Sequence, residues 1–195
     1  MPELTFFFAP GSSSMAPHIA LHELGVPFTP KPMSFGTGDT RAAEFLAINP
    51  DGKVPTLLID GRVLTEVAGI LYYLARAHPS ARLLPVNDPE AEAQVVSWMS
   101  FIASTLHPAR RQGVEHATRV WGVAEQRLGA RDWAVGSYSI ADIHLFRLYW
   151  RFGNALKPQP GAFPNLTAHH DRMMARPAVR RTLEIEAAIG YQLPA

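Results

Sequence analysis

Three consecutive hydroxyls, Ser12, Ser13 and Ser14, sit where the apolar run LTFFF (4–8) hands over to a helix-like stretch, APHIALHEL (16–24). The start of a helix carries free N–H groups and a partial positive charge. Hydroxyls placed there either donate to an anionic ligand or hold the turn and cap the helix. A second such point is Thr65-Glu66-Val67, where Thr65 can cap the helix that follows. Its free N–H groups suit a ligand carboxylate, although Glu66 also fits as an ordinary acidic first-turn residue. His107, in TLHPAR, is a lone imidazole on a long helical stretch, either a packed residue or a hydrogen-bond partner at a site. Ser139 and Asp142 have the spacing Ser-x-x-Asp, which reads as a structural capping box rather than as a catalytic pair.

What is missing narrows the chemistry. The chain has no cysteine, which rules out a disulfide, a cysteine zinc site and a cysteine nucleophile of its own. The eight histidines are scattered. His169 and His170 are adjacent, so on a helix they point about 100° apart and chelate poorly. No metal site is expected. The net charge is +1, and Arg110-Arg111 and Arg180-Arg181 are only pairs. That is not the basic stripe nucleic-acid binding requires. No stretch approaches the ~20 apolar residues of a membrane span, and the N-terminus lacks the basic region of a secretory signal. A cytoplasmic protein is the expectation.

The elements that must position these groups fall into two parts. LTFFF reads as a buried strand and 16–24 as a helix, with Pro17 tolerated in its first turn. PFTPKPM (27–33) reads as a second strand whose prolines suit an edge. GTGD (36–39) is a loop, and TRAAEFLAIN (40–49) a short helix stopped by Asn49-Pro50. TLLI and RVL are strands joined by Asp60-Gly61, a two-residue hairpin signal. The helix EVAGILYYLARAH then runs to His78-Pro79. The order is β-α-β-α-β-β-α over 1–78.

Residues 79–88 read as a linker, and 89–195 as wholly helical. Asp88-Pro89 is a cap followed by proline at the first helical position. Val95, Trp98, Met99, Ile102 and Leu106 form the apolar stripe of a helix from 89 to about 115, which Pro108 should kink. Further helices are expected at 117–129, after the Ser139 cap, and at 164–175 and 178–188.

With these residues in hand, the chain resembles the cytosolic glutathione transferases over nearly its whole length. The pieces PGSSSMAPHIAL, FLAINPDGKVPTLLIDG, VLTEVAGILYYLA and YSIADIHLF stand in family order and look most like the bacterial beta class. The resemblance implies a thioredoxin-like α/β N-terminal domain followed by an all-α domain. It also implies a homodimer that uses glutathione as co-substrate, without metal or redox cofactor. The reaction implied is conjugation of glutathione sulfur to a small hydrophobic electrophile. Disulfide reduction, peroxidase or isomerase chemistry on bound glutathione, or non-catalytic ligand binding on the same fold, are the alternatives.

Site residues follow from the same resemblance. The Val54-Pro55 bond is expected cis, with the Val54 backbone pairing with the cysteinyl main chain of glutathione and Lys53 beside it. Glu66 and the Val67 N–H would take the γ-glutamyl end. The family usually has serine at position 67, so a hydroxyl contact worth about 0.5–1.5 kcal/mol is missing. The beta class carries a cysteine at the place of Ser13, and the tyrosine that other classes use aligns with Phe8. Both familiar thiol partners are therefore absent, and a serine is the natural substitute. A free thiol has a pKa of about 8.5. A hydrogen bond to a charged acceptor, about 1.5–3 kcal/mol, lowers it by roughly one to two units. Ser13 and Ser14 are the candidates for that role, with Ser12 at the binding edge. His107 would lie near the sulfur, and Phe8, Met15 and His107 would face the second substrate.

Overall fold

The computed structural model describes residues 2–192, so the expected domain ends, Met1 and 193–195, lie outside the described residues. The chain forms two compact units, 1–74 together with 177–195, and 75–176. The final helix thus packs with the N-terminal part, although it follows the helical half in sequence.

In the first unit, β1 (Leu4–Phe8), β2 (Thr29–Pro32), β3 (Thr56–Ile59) and β4 (Arg62–Thr65) form one sheet in the order β2-β1-β3-β4. β1 runs parallel to β2 and antiparallel to β3; β3 and β4 form the hairpin. Asp60 and Gly61 both take positive φ, 48° and 78°, which their dipeptide signalled. Along β1 the even positions Leu4, Phe6 and Phe8 are buried and the odd ones only half so, the period-2 pattern of a central strand. β2 continues by one bond, Met33 N–H donating to Phe8 O at 2.7 Å.

The helix α1 (Met15–Leu24) is buried from Met15 to Leu21 and ends at Gly25, whose φ of 63° lets its N–H turn back to His22 O. α2 (Ala43–Ile48) is shorter than the stretch 40–49 suggested, because a 3₁₀ turn at Asp39–Arg41 takes up its first residues. α3 (Val67–Ala77) follows β4. Thr65 belongs to the strand rather than to the cap. Glu66 takes the cap position instead, its carbonyl accepting from Ile70 N–H at 3.0 Å. The last helix, α9 (Pro177–Ile189), packs along α1.

The second unit holds α4 (Pro89–Phe101), α5 (His107–Ala109), α6 (Val114–Leu128), α7 (Ile140–Leu156) and α8 (Pro164–Met174). All five stripe residues of the first long helix are buried. The expected kink takes the form of a π turn, Ile102–Leu106, just before Pro108. Proline has no N–H for the carbonyl four residues back and its ring crowds that carbonyl; a wider turn relieves the clash.

The capping box is complete. Ser139 Oγ accepts from Ala141 N–H, and Asp142 Oδ2 accepts from Ser139 N–H at 2.9 Å. Asp142 Oδ1 also accepts from Ala134 N–H at 2.7 Å and meets His169 Nε2 at 3.0 Å. Serine, aspartate and histidine are all buried. Ser139→Ala removes only the cap and should cost about 1 kcal/mol. Asp142→Ala strands several buried donors and should cost about 3–5 kcal/mol. Denaturant unfolding checks this order; equal costs would show that the box alone matters.

Candidate functional site

The three loop serines separate by how their hydroxyls are used. Ser14 Oγ accepts from Ala9 N–H and donates to Ala9 O, both at 3.1 Å. It also meets Ser12 Oγ at 2.7 Å. Ser12 Oγ also accepts from Ser14 N–H at 3.2 Å. Both side chains are buried. Ser14 stands at the N-cap position of α1 yet makes no side-chain cap bond, because its hydroxyl is drawn back to the end of β1. The capping role expected of it is replaced by a strand-closing one.

Ser13 is different. It is half-exposed, and its Oγ lies 3.5 Å from Val54 O, a long and weak contact. The structure therefore brings Ser13 to the Val54-Pro55 bond, which is cis. That segment is held from behind by Asn49. Its buried amide donates to Lys53 O and Thr56 Oγ1, both at 2.9 Å, and Thr56 Oγ1 donates to Lys53 O. The Lys53 side chain is exposed, and Val54 is buried. Asn49 was legible only as a helix stop; its amide role needed the fold to bring it over the loop.

Glu66 is exposed, with φ of 68°, and Val67 is buried behind it. A non-glycine residue in the left-handed region is costly, about 1–3 kcal/mol, and such residues cluster at functional sites. Phe8 and Met15 correct the expectation of a substrate-facing pair. They are 1% and 0% exposed, and Phe8 stacks on Phe6 with its ring centroid 4.6 Å from that of His18. As core residues they leave no surface for a ligand.

Two more residues escaped the sequence reading. Glu186 on α9 and His18 on α1 are both buried and meet at 2.8 Å. A histidine inside an apolar helix and a glutamate on a late helix gave no sign that they would pair.

The comparisons with known proteins agree with this geometry. The family profile "Glutathione S-transferase, N-terminal domain" matches residues 2–76, and "Glutathione S-transferase, C-terminal domain" matches 87–177. The chain belongs to the glutathione S-transferase family. It is 32% identical to the glutathione S-transferase GstA of Escherichia coli O157:H7, over 94% of this chain and 98% of that protein. It is 29% identical to a maleylacetoacetate isomerase of Pseudomonas aeruginosa, over 87% of this chain and 90% of that one. Its fold matches the bacterial beta class glutathione S-transferase of Sphingomonas chungbukensis with a TM-score of 0.81 and 32% identity, over 93% and 98% of the two chains.

In this transferase no group of three His, Asp or Glu is placed to hold a metal among the described residues, and no helix there is long and apolar enough to cross a membrane. His107 lies in the second unit, at the start of α5. Burial, then the positive charges of Arg147, Arg110 and Arg111, pushes it down from 6.5 to about 4. His144 falls to about 3 through burial, Arg147 and His107, and His22 to about 4, chiefly by burial. Each of these imidazoles is therefore neutral in the folded transferase above about pH 5.

The folded chain thus binds fewer protons than the unfolded chain between these values and 6.5. Stability from the three groups is complete above about pH 6.5 and is lost as pH falls through about 4. The melting temperature should decline over that window, and His144→Leu should flatten the decline. An unchanged slope in that variant would count against the assignment.

Proposed function

We propose that this glutathione transferase ionises glutathione with the hydroxyl of Ser13 and passes the thiolate to a small hydrophobic electrophile. The supporting observation is where the hydroxyls lie: those of Ser12 and Ser14 are buried against each other at 2.7 Å, with Ser14 donating to Ala9 O, whereas half-exposed Ser13 donates to Val54 O at a long 3.5 Å. A thiolate is a stronger acceptor than a carbonyl. A hydroxyl weakly held beside the Val54 backbone can turn to the sulfur at little cost.

Glutathione then lies along the first unit. The Val54 backbone pairs with its cysteinyl amide, with Ser12 and Lys53 flanking. The Val67 N–H at the start of α3 receives the γ-glutamyl carboxylate. The exposed Glu66 side chain, on a left-handed backbone with φ 68°, answers the ammonium group. The thiol proton leaves to water, Ser13 donates to the sulfur anion, and the sulfur lone pair forms the new C–S bond as the electrophile's leaving group departs with its electron pair. His107, in the second unit, is neutral above about pH 5 and so is no acid there.

The isomerase relative supports a second reading, in which the thiolate adds to a substrate carbon and is later expelled. Rates with an activated aryl halide, a small disulfide and a cis-alkene diacid separate conjugation, reduction and isomerisation. The protein is also proposed to be a cytoplasmic homodimer; a monomeric mass in solution would contradict this.

Ser13→Ala should raise the pKa of bound glutathione by about one to two units while leaving the fold intact. Ser14→Ala should instead lower stability, by about 1–3 kcal/mol, because it strands the buried N–H of Ala9, while the Ala9 carbonyl keeps the Ser12 N–H at 3.0 Å. Ultraviolet titration of the bound thiolate and thermal unfolding read the two effects. A parent-like titration in Ser13→Ala would remove the proposal's basis.

A further inference from the structure

Ser13 lies just ahead of the first turn of α1, and His22 lies in its last. Around that far end is a cleft of about 270 Å³. Leu21 and His22 come to it from the helix, Val26, Pro27 and Phe28 from the segment that follows, and Arg181 from α9. All of them belong to the first unit. None of the residues assigned to glutathione lines it. Sites for drug-sized ligands run to roughly 300–1,000 Å³. This one suits a smaller molecule, such as a single ring bearing one polar group.

His22 has one ring nitrogen shut in and one that is not. Nε2 is buried without a hydrogen-bond partner among the described residues, whereas the ring as a whole is half-buried. Buried N–H groups without an acceptor are rarer than buried acceptors without a donor. The ring proton therefore belongs on Nδ1, where it can donate to a ligand. Aromatic neighbours hold the ring in place, with centroids 4.9 Å away at His18 and 5.6 Å away at Phe28.

The charge around the cleft has one sign. Arg181 is exposed and stands in no ion pair among the described residues. No carboxylate among the described residues lines the cleft. Burial, then His18 and Arg181, holds His22 down at about 4, so a further positive charge is disfavoured there. The last turn of α1 works the other way, because a helix C-terminus carries about half a negative charge. Gly25 N–H already turns back onto His22 O at that end, and a whole guanidinium charge outweighs the remainder. The planar fork of arginine also matches a carboxylate with two parallel bonds.

We propose that this cleft binds a small aromatic carboxylic acid as its anion, with Arg181 holding the carboxylate, His22 Nδ1–H donating to it, and Leu21, Val26 and Phe28 covering the ring. It is a second ligand site of the transferase, and it stands without the Ser13 reading.

Benzoate is the probe, benzamide its uncharged likeness, and inorganic phosphate an anion without a ring. In the full chain at about pH 7 and constant ionic strength, benzoate should saturably shift the amide resonances of Gly25 and Phe28 and the ring resonances of His22, with a Kd of about 1 mM. Benzamide and phosphate should each bind about tenfold more weakly. Arg181→Gln should weaken benzoate binding about tenfold, and His22→Phe, which keeps an aromatic ring beside Phe28, about threefold.

No saturable shift at those residues in the parent overturns the inference. So does benzamide or phosphate binding as tightly as benzoate, or an unchanged Kd in either variant. Shifts confined to Ser13 and Val54 overturn it too, since the acid then occupies the glutathione site alone.

Discussion

The hydroxyl of Ser14 closes the end of β1 by meeting both the N–H and the carbonyl of Ala9. A strand that stops at a loop leaves backbone groups that must find partners if they are buried. One small side chain supplies a donor and an acceptor at once, and it meets the hydroxyl of Ser12 as well. Serine is suited to this because its hydroxyl has one proton and two lone pairs. The consequence for the site is subtraction. Two of three similar residues are consumed as structure, and the middle one is left half-exposed beside Val54.

Each unit also contains a buried carboxylate that gathers backbone N–H groups and a histidine. Asp142 takes the amides of Ala134 and Ser139 together with His169. Glu186 takes the amide of Gly11 together with His18. In both cases a short acidic side chain organises a loop that apolar packing could not order, since loops carry polar backbone groups that dispersion leaves unpaired. Such a cluster punishes half-measures, because removing one member strands the others. It therefore selects a single loop conformation more sharply than it adds net stability.

Much of this was readable before folding. The order of strands and helices, the Asp60-Gly61 hairpin, the apolar stripe from Val95 to Leu106 and the Ser139 box are local patterns, set by periods of two or 3.6 residues and by turn chemistry. The likeness to a known family supplied the two-domain fold and the cis bond at Pro55. What stayed hidden depended on residues distant in sequence. Nothing in SSS distinguishes Ser13 from its neighbours until Ala9 and Val54 close around them. Glu186 and His18 lie 168 residues apart, and neither spacing nor composition links them. Thr65 and Ser14 looked like caps because hydroxyls favour helix starts; strand pairing and strand closure claimed them first. The family likeness implies a substrate-facing place for Phe8 and Met15, and burial puts them in the core.

The outer margin of the sheet shows a different economy. Met33 N–H points inward to Phe8, and since amides alternate sides along a strand, that of Lys31 does too. The nitrogens facing away from β1 are then those of Pro30 and Pro32, which carry no hydrogen. A stray strand drifting up to this border would meet carbonyls and a lysine, with no donors to begin a ladder. Crowded copies of the protein are thereby kept from growing into one another along this side of the sheet.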